Sequence, residues 1–230
     1  MNKYPITTLF LLISVDGKIS TGSTDLMDFD KDLSKIKGVK EGLVQYYAIE
    51  RRTDLFSLNS GRVMAKIGAN KKVWEGKPLH VSFVIIDNKP HLTKNGIEYF
   101  SKKAKNLFIV TTNKKHPALK AKYANVKVLL YPKRVDLKDM MQQLKKYGAH
   151  RVTIQTGGSL NAEFIRNGLV DHISFVVAPI MVGGKDTATA MDGESLKKQS
   201  ELLKLRPLKL RKITKLNNSY VHLEYDVLNR

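Results

Sequence analysis

Four apolar runs, each too long for a turn and too short to cross a bilayer, limit what this chain can become. Residues 4–15 carry Ile6, Leu9, Phe10, Leu11, Leu12, Ile13 and Val15 with little polar alternation. The same character returns in HVSFVII at 80–86, LFIVT at 107–111 and HISFVVA at 172–178. A strand that is apolar at successive positions presents hydrophobic side chains to both faces, so both faces must be covered. Crossover helices provide that cover in a parallel sheet.

Helical patterns fall between the runs. Residues 43–52 read as one helix, and 93–103 as another with Thr93 at its cap. At 136–148, Asp136 is the cap, Asp139 a second acid in the first turn, Lys145 and Lys146 lie in the last turn, and Gly148 is the stop. Residues 159–167 form a helix ended by Gly168. Shorter strands are expected at 55–58, 126–130 and 152–155. The chain closes with strands at 208–216 and 220–227 joined by Asn217-Asn218, a favoured hairpin turn. Val221, Leu223, Tyr225 and Val227 alternate with His222, Glu224 and Asp226, which predicts one wet face. The polar stretch 186–199 reads as a surface excursion. With no linker, repeat or low-complexity segment, the expectation is a single α/β domain over 1–230. It would have three layers, a mostly parallel central sheet and a C-terminal antiparallel hairpin.

Charge narrows the partners. Lys and Arg number 40 against 21 Asp and Glu, a formal net charge of +19, which concentrates anions near the surface. Nucleic acid, an anionic membrane and phosphorylated small molecules all fit such a balance. The cations come in scattered pairs such as Lys71-Lys72, Lys114-Lys115 and Lys197-Lys198, with no basic arm and no interleaved aromatics. A lysine-rich solvated surface is the simpler reading, and a nucleic-acid partner is not favoured. Zero Cys removes disulfides, thiolate nucleophiles and Cys-ligated metals. The six histidines lack metal-ligand spacing, so no metal is expected. Lys3 followed by residues 9–13 has the outline of a short signal peptide, but Ser14 and Asp16 interrupt it. No stretch reaches the ~18 apolar residues of a membrane span. A buried strand in a cytoplasmic protein is the expectation.

Four loops carry candidate chemistry. Residues 152–161 run from a strand through Gly157-Gly158 into a helix; glycines there admit a ligand close to the backbone, and first-turn amides attract phosphate. An ordinary βα turn uses a glycine pair equally well. Asn59-Ser60-Gly61-Arg62 repeats the arrangement, with Arg62 able to fork onto a phosphate or simply to lie in solvent. Thr111-Thr112-Asn113-Lys114-Lys115 follows a strand's carboxyl end, where open α/β sheets place ligand crevices. Ser14-Val15-Asp16-Gly17-Lys18 sets an acid and a base after the most buried strand; Asp16 would relay a proton or shape a turn.

Taken in order, SVDGKI, NSGR, GGSLN, GLVD, P-x-x-x-GG and the closing hairpin resemble the pyrimidine reductase family of riboflavin biosynthesis, which shares the dihydrofolate reductase fold. The resemblance spans essentially the whole chain. It implies NADPH as hydride donor, an anionic substrate, a homodimer, and reduction of the ribosyl group of 5-amino-6-(5-phosphoribosylamino)uracil at C1′. It also implies roles for individual residues. Gly157, Gly158, Ser159, Leu160 and Asn161 would hold the pyrophosphate, with Ser60, Gly61 and Arg62 at the neighbouring helix start. Thr112 and Asn113 would lie near the adenosine ribose and its 2′-phosphate. Asp16 would be the catalytic group, with Ser14, Lys18 and Gln155 on the substrate. Two departures stand out: Gln155 replaces the family's Glu, and Met64-Ala65-Lys66-Ile67 replaces an acidic D-D-P stretch. Gln155 leaves room for a paralogue reducing another pterin, pyrimidine or small carbonyl compound. The partner deaminase's Cys-based zinc signature is absent. On this placement, Gly158→Asp should set a carboxylate against the pyrophosphate and weaken NADPH binding by about tenfold, or 1.4 kcal/mol.

Overall fold

The computed structural model describes residues 3–229; Met1, Asn2 and Arg230, which the single-domain expectation includes, lie outside the described residues. Its elements in chain order are β1 (Ile6–Ser14), α1 (Phe29–Leu33), α2 (Leu43–Glu50), β2 (Phe56–Ser60), α3 (Gly61–Lys66), β3 (Ser82–Ile86), α4 (Lys94–Lys103), β4 (Leu107–Thr111) and β5 (Val126–Leu130). Then follow α5 (Leu137–Lys146), β6 (Arg151–Gln155), α6 (Gly158–Arg166), β7 (His172–Ala178), β8 (Leu208–Lys215) and β9 (Val221–Val227). Contacts gather them into two compact units: one holds the described residues up to Ile6 and residues 54–156, the other residues 7–53 and 157–229.

Unit one is built on five parallel strands in the order β5-β4-β3-β2-β6. The apolar runs fill both sheet faces as their composition demands. On one face Ile85, Leu107 and Ile109 pack with Ile97, Tyr99 and Phe100 of α4; on the other, Phe108 lies against the Tyr147 ring just beyond α5. Each fully buried side chain of this size stabilises by about 1.5–3 kcal/mol. Asp136 caps α5 as expected, accepting from the Lys138 and Asp139 amides at 2.9 and 3.0 Å. Thr93 does not cap α4 with its own hydroxyl. It is the N-cap residue, and its amide and hydroxyl both donate to Asn70 Oδ1, at 2.9 and 3.2 Å, so a side chain from before β3 orders the helix start. Trp74 lies edge-on to Tyr99, with Lys103 Nζ 5.4 Å from its ring.

Unit two pairs β1 with β7 in parallel and closes with antiparallel β9 and β8, in the order β1-β7-β9-β8. Leu9, Phe10, Leu11 and Leu12 are all buried, so the first apolar run is a two-faced strand. Phe10 stacks on Tyr46 of α2 at 5.3 Å and 2°, in a core with Leu12, Phe29, Leu33, Val176 and Tyr220. The five-residue α1 had no clear periodicity to announce it; Asp28 caps it, and only Phe29 and Leu33 are buried.

Two expectations shift here. The hairpin turns at Asn218 and Ser219, which carry positive φ of 54° and 63°, one residue later than Asn217-Asn218. The later turn lets Tyr220 insert fully into the core and donate its hydroxyl to the Val39 carbonyl at 2.8 Å. The face bearing His222, Glu224 and Asp226 is consequently not a simple wet face. It starts from a buried tyrosine and is cross-linked by Ser174–His222 and His172–Asp226 contacts, each 2.8 Å. The stretch 186–199 is also more than a surface excursion. Thr187 and Ala190 are buried, and backbone bonds join Ala190 to Gly17 and Ile19 to Ala188.

Truncating Phe10 tests the unit-two core. Phe10→Ala should lower unfolding free energy by about 3–5 kcal/mol, read as a lower urea midpoint with the slope unchanged.

Candidate functional site

In unit one, the strand carboxyl ends carry the predicted loops. Ser60 closes β2 and caps α3, its hydroxyl accepting from the Val63 amide at 3.4 Å. A Cβ on Gly61 would collide with the Asp87 carboxylate, so close packing requires glycine there. Arg62 follows on the exposed side. After β4, the Thr112 amide donates to Asn88 Oδ1 at 3.0 Å, the Asn113 amide to Thr111 Oγ1 at 3.1 Å, and Asn113 Oδ1 accepts from the Lys115 amide at 2.7 Å. Gln155 ends β6 with its Oε1 accepting from Ser57 Oγ at 3.2 Å; Asn59 donates in turn to Ser57 at 2.9 Å.

Sequence reasoning missed Asp87. Its buried carboxylate accepts from the His91 and Leu92 amides at 3.1 and 3.0 Å, and meets His91 Nδ1 at 2.9 Å and His116 Nε2 at 3.1 Å. Burial pushes its pKa up, but the hydrogen bonds from His116 and the Leu92 and His91 amides prevail and hold it below the usual carboxylate range. The available signal was an acid directly after an apolar run, with a histidine four residues on.

In unit two, Ser14, Asp16 and Lys18 do come together. Asp16 Oδ1 accepts from Ser14 Oγ at 2.5 Å and the Val182 amide at 3.1 Å, while Oδ2 accepts from the Gly183 amide at 2.7 Å. The Ser14 hydroxyl and then the Gly183 amide lower the Asp16 pKa to about 2. At neutral pH this group is an ionised clamp on the turn through Gly183 and Gly184, both left-handed at φ 70° and 82°. Lys18 Nζ donates to the carbonyls of Gly184 and Thr187, at 2.8 and 3.0 Å.

The glycine pair divides in two. Gly157 precedes α6 in an extended conformation, and a Cβ there would meet nothing within 4 Å. At Gly158 a Cβ would collide with the Thr189 carbonyl and the Asp192 carboxylate. Gly158→Asp would therefore disturb the 189–192 segment before it reached any ligand, and Gly157 is the better probe. Ser159 is exposed and Leu160 partly so. Asn161 is fully buried and donates to the Ala190 carbonyl at 2.9 Å, serving the same packing. The Leu160 amide donates to the Gly157 carbonyl at 3.0 Å, which leaves the Gly158 and Ser159 amides as the first-turn donors without an acceptor in the helix, and with the open side of Gly157 they suit an anionic group, as a pyrophosphate is. Among the described residues, no group of three or more His, Asp or Glu is placed to hold a metal.

Residues 5–221 match the family described as the RibD C-terminal domain. A 73-residue stretch is 34% identical to the 2,5-diamino-6-ribosylamino-4(3H)-pyrimidinone 5′-phosphate reductase of Methanothermobacter thermautotrophicus, covering 32% of this chain and 34% of that protein. The Archaeoglobus fulgidus protein of the same name is 36% identical over 72 residues, 31% of this chain and 33% of its own. The aligned stretches thus span about a third of the curated relatives' length. Among solved structures, Acinetobacter baumannii RibD superposes with a TM-score of 0.66 at 17% identity, covering 99% of this chain and 59% of that one. Saccharomyces cerevisiae riboflavin biosynthesis reductase Rib7 gives 0.62 at 16%, covering 99% and 91%. These likenesses show the α/β fold.

Two outcomes follow from the geometry. Gly158→Ala should lower stability by about 1–3 kcal/mol, while Gly157→Ala changes it by less than about 1 kcal/mol; thermal melts decide. Asp16→Asn should speed amide hydrogen exchange at Val182 and Gly183 at neutral pH. Because the folded pKa is depressed, the clamp is present above the ordinary carboxylate pKa and lost as pH falls toward about 2, so acid should lower the wild type's protection at these two amides, taken relative to intrinsic exchange at the same pH, to the variant's level.

Proposed function

The chain belongs to the RibD C-terminal domain family, and from that premise we propose that it is an NADPH-dependent reductase of a ribosylaminopyrimidine 5′-phosphate. The relatives are named reductases of such a compound. The observation that carries the reading is the open approach to Gly157 at the start of α6, inside the chain's most family-specific stretch. In unit two, the amides that follow Gly157 would take the pyrophosphate; in unit one, Ser60, Gly61, Arg62, Thr112 and Asn113 would serve the nucleotide. When bound, NADPH supplies the hydride that takes the ribosyl C1′ to the ribityl level. The chain's own contribution is binding, orientation and exclusion of water. Asp16, ionised, holds Ser14 and the 182–184 turn in place beside the substrate and does not donate a proton at neutral pH. The net charge of +19 favours two anionic ligands.

Gln155 favours a second reading within the same chemistry. Its Oε1 accepts from Ser57, and as a neutral amide it carries both donor and acceptor where the family's carboxylate has acceptors alone. That change suits a pyrimidine, pterin or small carbonyl compound with an acceptor at this position. We also read the chain as a homodimer, supported by exposed Leu208, Leu210 and Ile213 on edge strand β8. A cytoplasmic location fits such a metabolic role; no helix among the described residues is long and apolar enough to cross a membrane.

Calorimetric titration with NADPH and NADH is the test. NADPH should bind in the micromolar range and in preference to NADH, and Gly157→Asp should weaken it by about tenfold or more. Reductase assays should then show turnover of 5-amino-6-(5-phosphoribosylamino)uracil or its 2,5-diaminopyrimidinone counterpart, with Gln155→Glu shifting the preference between them. No dinucleotide binding, with steeply salt-dependent retention of RNA or DNA instead, would sink the reductase reading.

A further inference from the structure

A groove in unit one takes no part in the proposed nucleotide or substrate site. Its volume is about 200 Å³, and it runs between residues 70–74 and the face of α4 that carries Asn95, Glu98, Tyr99 and Lys102. As a crossover helix, α4 returns from the carboxyl end of β3 to the amino end of β4. Its last turn lies beside the entry to β3: the Lys103 carbonyl accepts from the Leu79 amide at 2.8 Å, and the Lys105 amide donates to the Val81 carbonyl at 2.9 Å. The groove therefore leads toward the amino end of the sheet, away from the loops after β2 and β4.

Its aromatic wall is fixed before any ligand arrives. Trp74 Nε1 donates to the Lys77 carbonyl at 3.2 Å, and the indole meets Tyr99 edge-on at 6.4 Å and 78°. The Tyr99 hydroxyl accepts from Lys103 Nζ at 3.1 Å. That ammonium lies 5.4 Å from the Trp74 centroid and 5.3 Å from that of Tyr99, and it does not line the groove. Both polar handles are thus used by the protein, and what the two rings offer the groove is π-surface in one orientation. Rings already immobilised lose little entropy on binding. Trp74 is nonetheless only partly buried, and Val73 beside it is 73% exposed.

The rim sets the charge. Lys71, Lys72 and Lys102 line the groove against one acid, Glu98, which is paired with Lys102 at 2.8 Å. Lys71 and Lys72 are exposed, and neither has a side-chain partner among the described residues. Two uncompensated ammonium groups beside an aromatic wall suit an anion that also carries a ring. The volume is below the roughly 300–1,000 Å³ of sites for drug-sized molecules, which fits one ring or two fused rings.

We infer that this groove is a second binding site, taking a flat aromatic carboxylate with its ring on Trp74 and Tyr99 and its carboxylate on Lys71 and Lys72.

The single tryptophan makes the test direct, because Trp74 supplies the only indole N–H resonance of the protein. That resonance is followed while the isotope-labelled protein is titrated with 2-naphthoate, its neutral counterpart 2-naphthamide, and cyclohexanecarboxylate. The first should move the resonance saturably and bind about fivefold more tightly than either of the others. Combining Lys71→Gln with Lys72→Gln should weaken 2-naphthoate about fivefold and leave 2-naphthamide unchanged. A resonance that stays still up to the solubility limit of 2-naphthoate would overturn the inference, as would equal binding of the amide or of the cyclohexane acid, or an unchanged affinity in the double variant. Competitive displacement of 2-naphthoate by NADPH would also overturn it, by putting the ring in the nucleotide site. A chain that binds 2-naphthoate as expected but neither dinucleotide would sink the reductase reading and leave this site standing.

Discussion

The arrangement of unit one's carboxyl ends depends on a single buried carboxylate. An ionised group away from water is tolerated only when its oxygens are occupied, and Asp87 draws its partners from several segments at once. His91 and Leu92 come from the approach to α4, and His116 from beyond β4. Thr111 closes the set by donating to the Asp87 carbonyl at 2.8 Å, and Gly61 is bare so that α3 can start against it. Removing any one partner would leave a charge in a place that cannot hydrate it. The loops at these strand ends are therefore ordered by a shared electrostatic debt rather than by their own turn preferences.

Much of the fold was legible because burial on two faces leaves a plain trace. The runs at 4–15, 107–111 and 172–178 became strands, and Asp136 and Gly148 bounded a helix as their chemistry predicts. What was not legible depended on partners distant in sequence. Thr93 is the N-cap residue of α4 as expected, but its hydroxyl is turned to Asn70, 23 residues earlier, instead of to the helix's own amides. The hairpin turn moved by one residue because Tyr220 has a core position and a carbonyl waiting for its hydroxyl. Polar residues 187–190 read as surface because their backbone partners, Gly17 and Ile19, are some 170 residues away along the chain.

The candidate site follows the same division. Ser14, Asp16 and Lys18 could be grouped by adjacency, but their purpose as a clamp on 182–187 required the far loop. Two adjacent glycines looked interchangeable; one is bare because a neighbouring loop packs on it, the other because nothing does. Asp87 had a sequence signal, an acid at the end of an apolar run with His91 four residues on, yet much of its weight came from His116, 29 residues away, which no spacing rule connects to it.

Trp74 gives this architecture a spectroscopic asymmetry. It is the chain's single tryptophan, and its ring sits within unit one against Tyr99 and Lys103. Indole emission therefore follows the packing of that unit alone, whereas far-ultraviolet dichroism averages helices and strands from both. If the two signals trace the same denaturation curve, the units melt as one cooperative body. If they part, the indole reports the denaturation of unit one, and the remaining dichroism change that of the unit carrying the glycine loop.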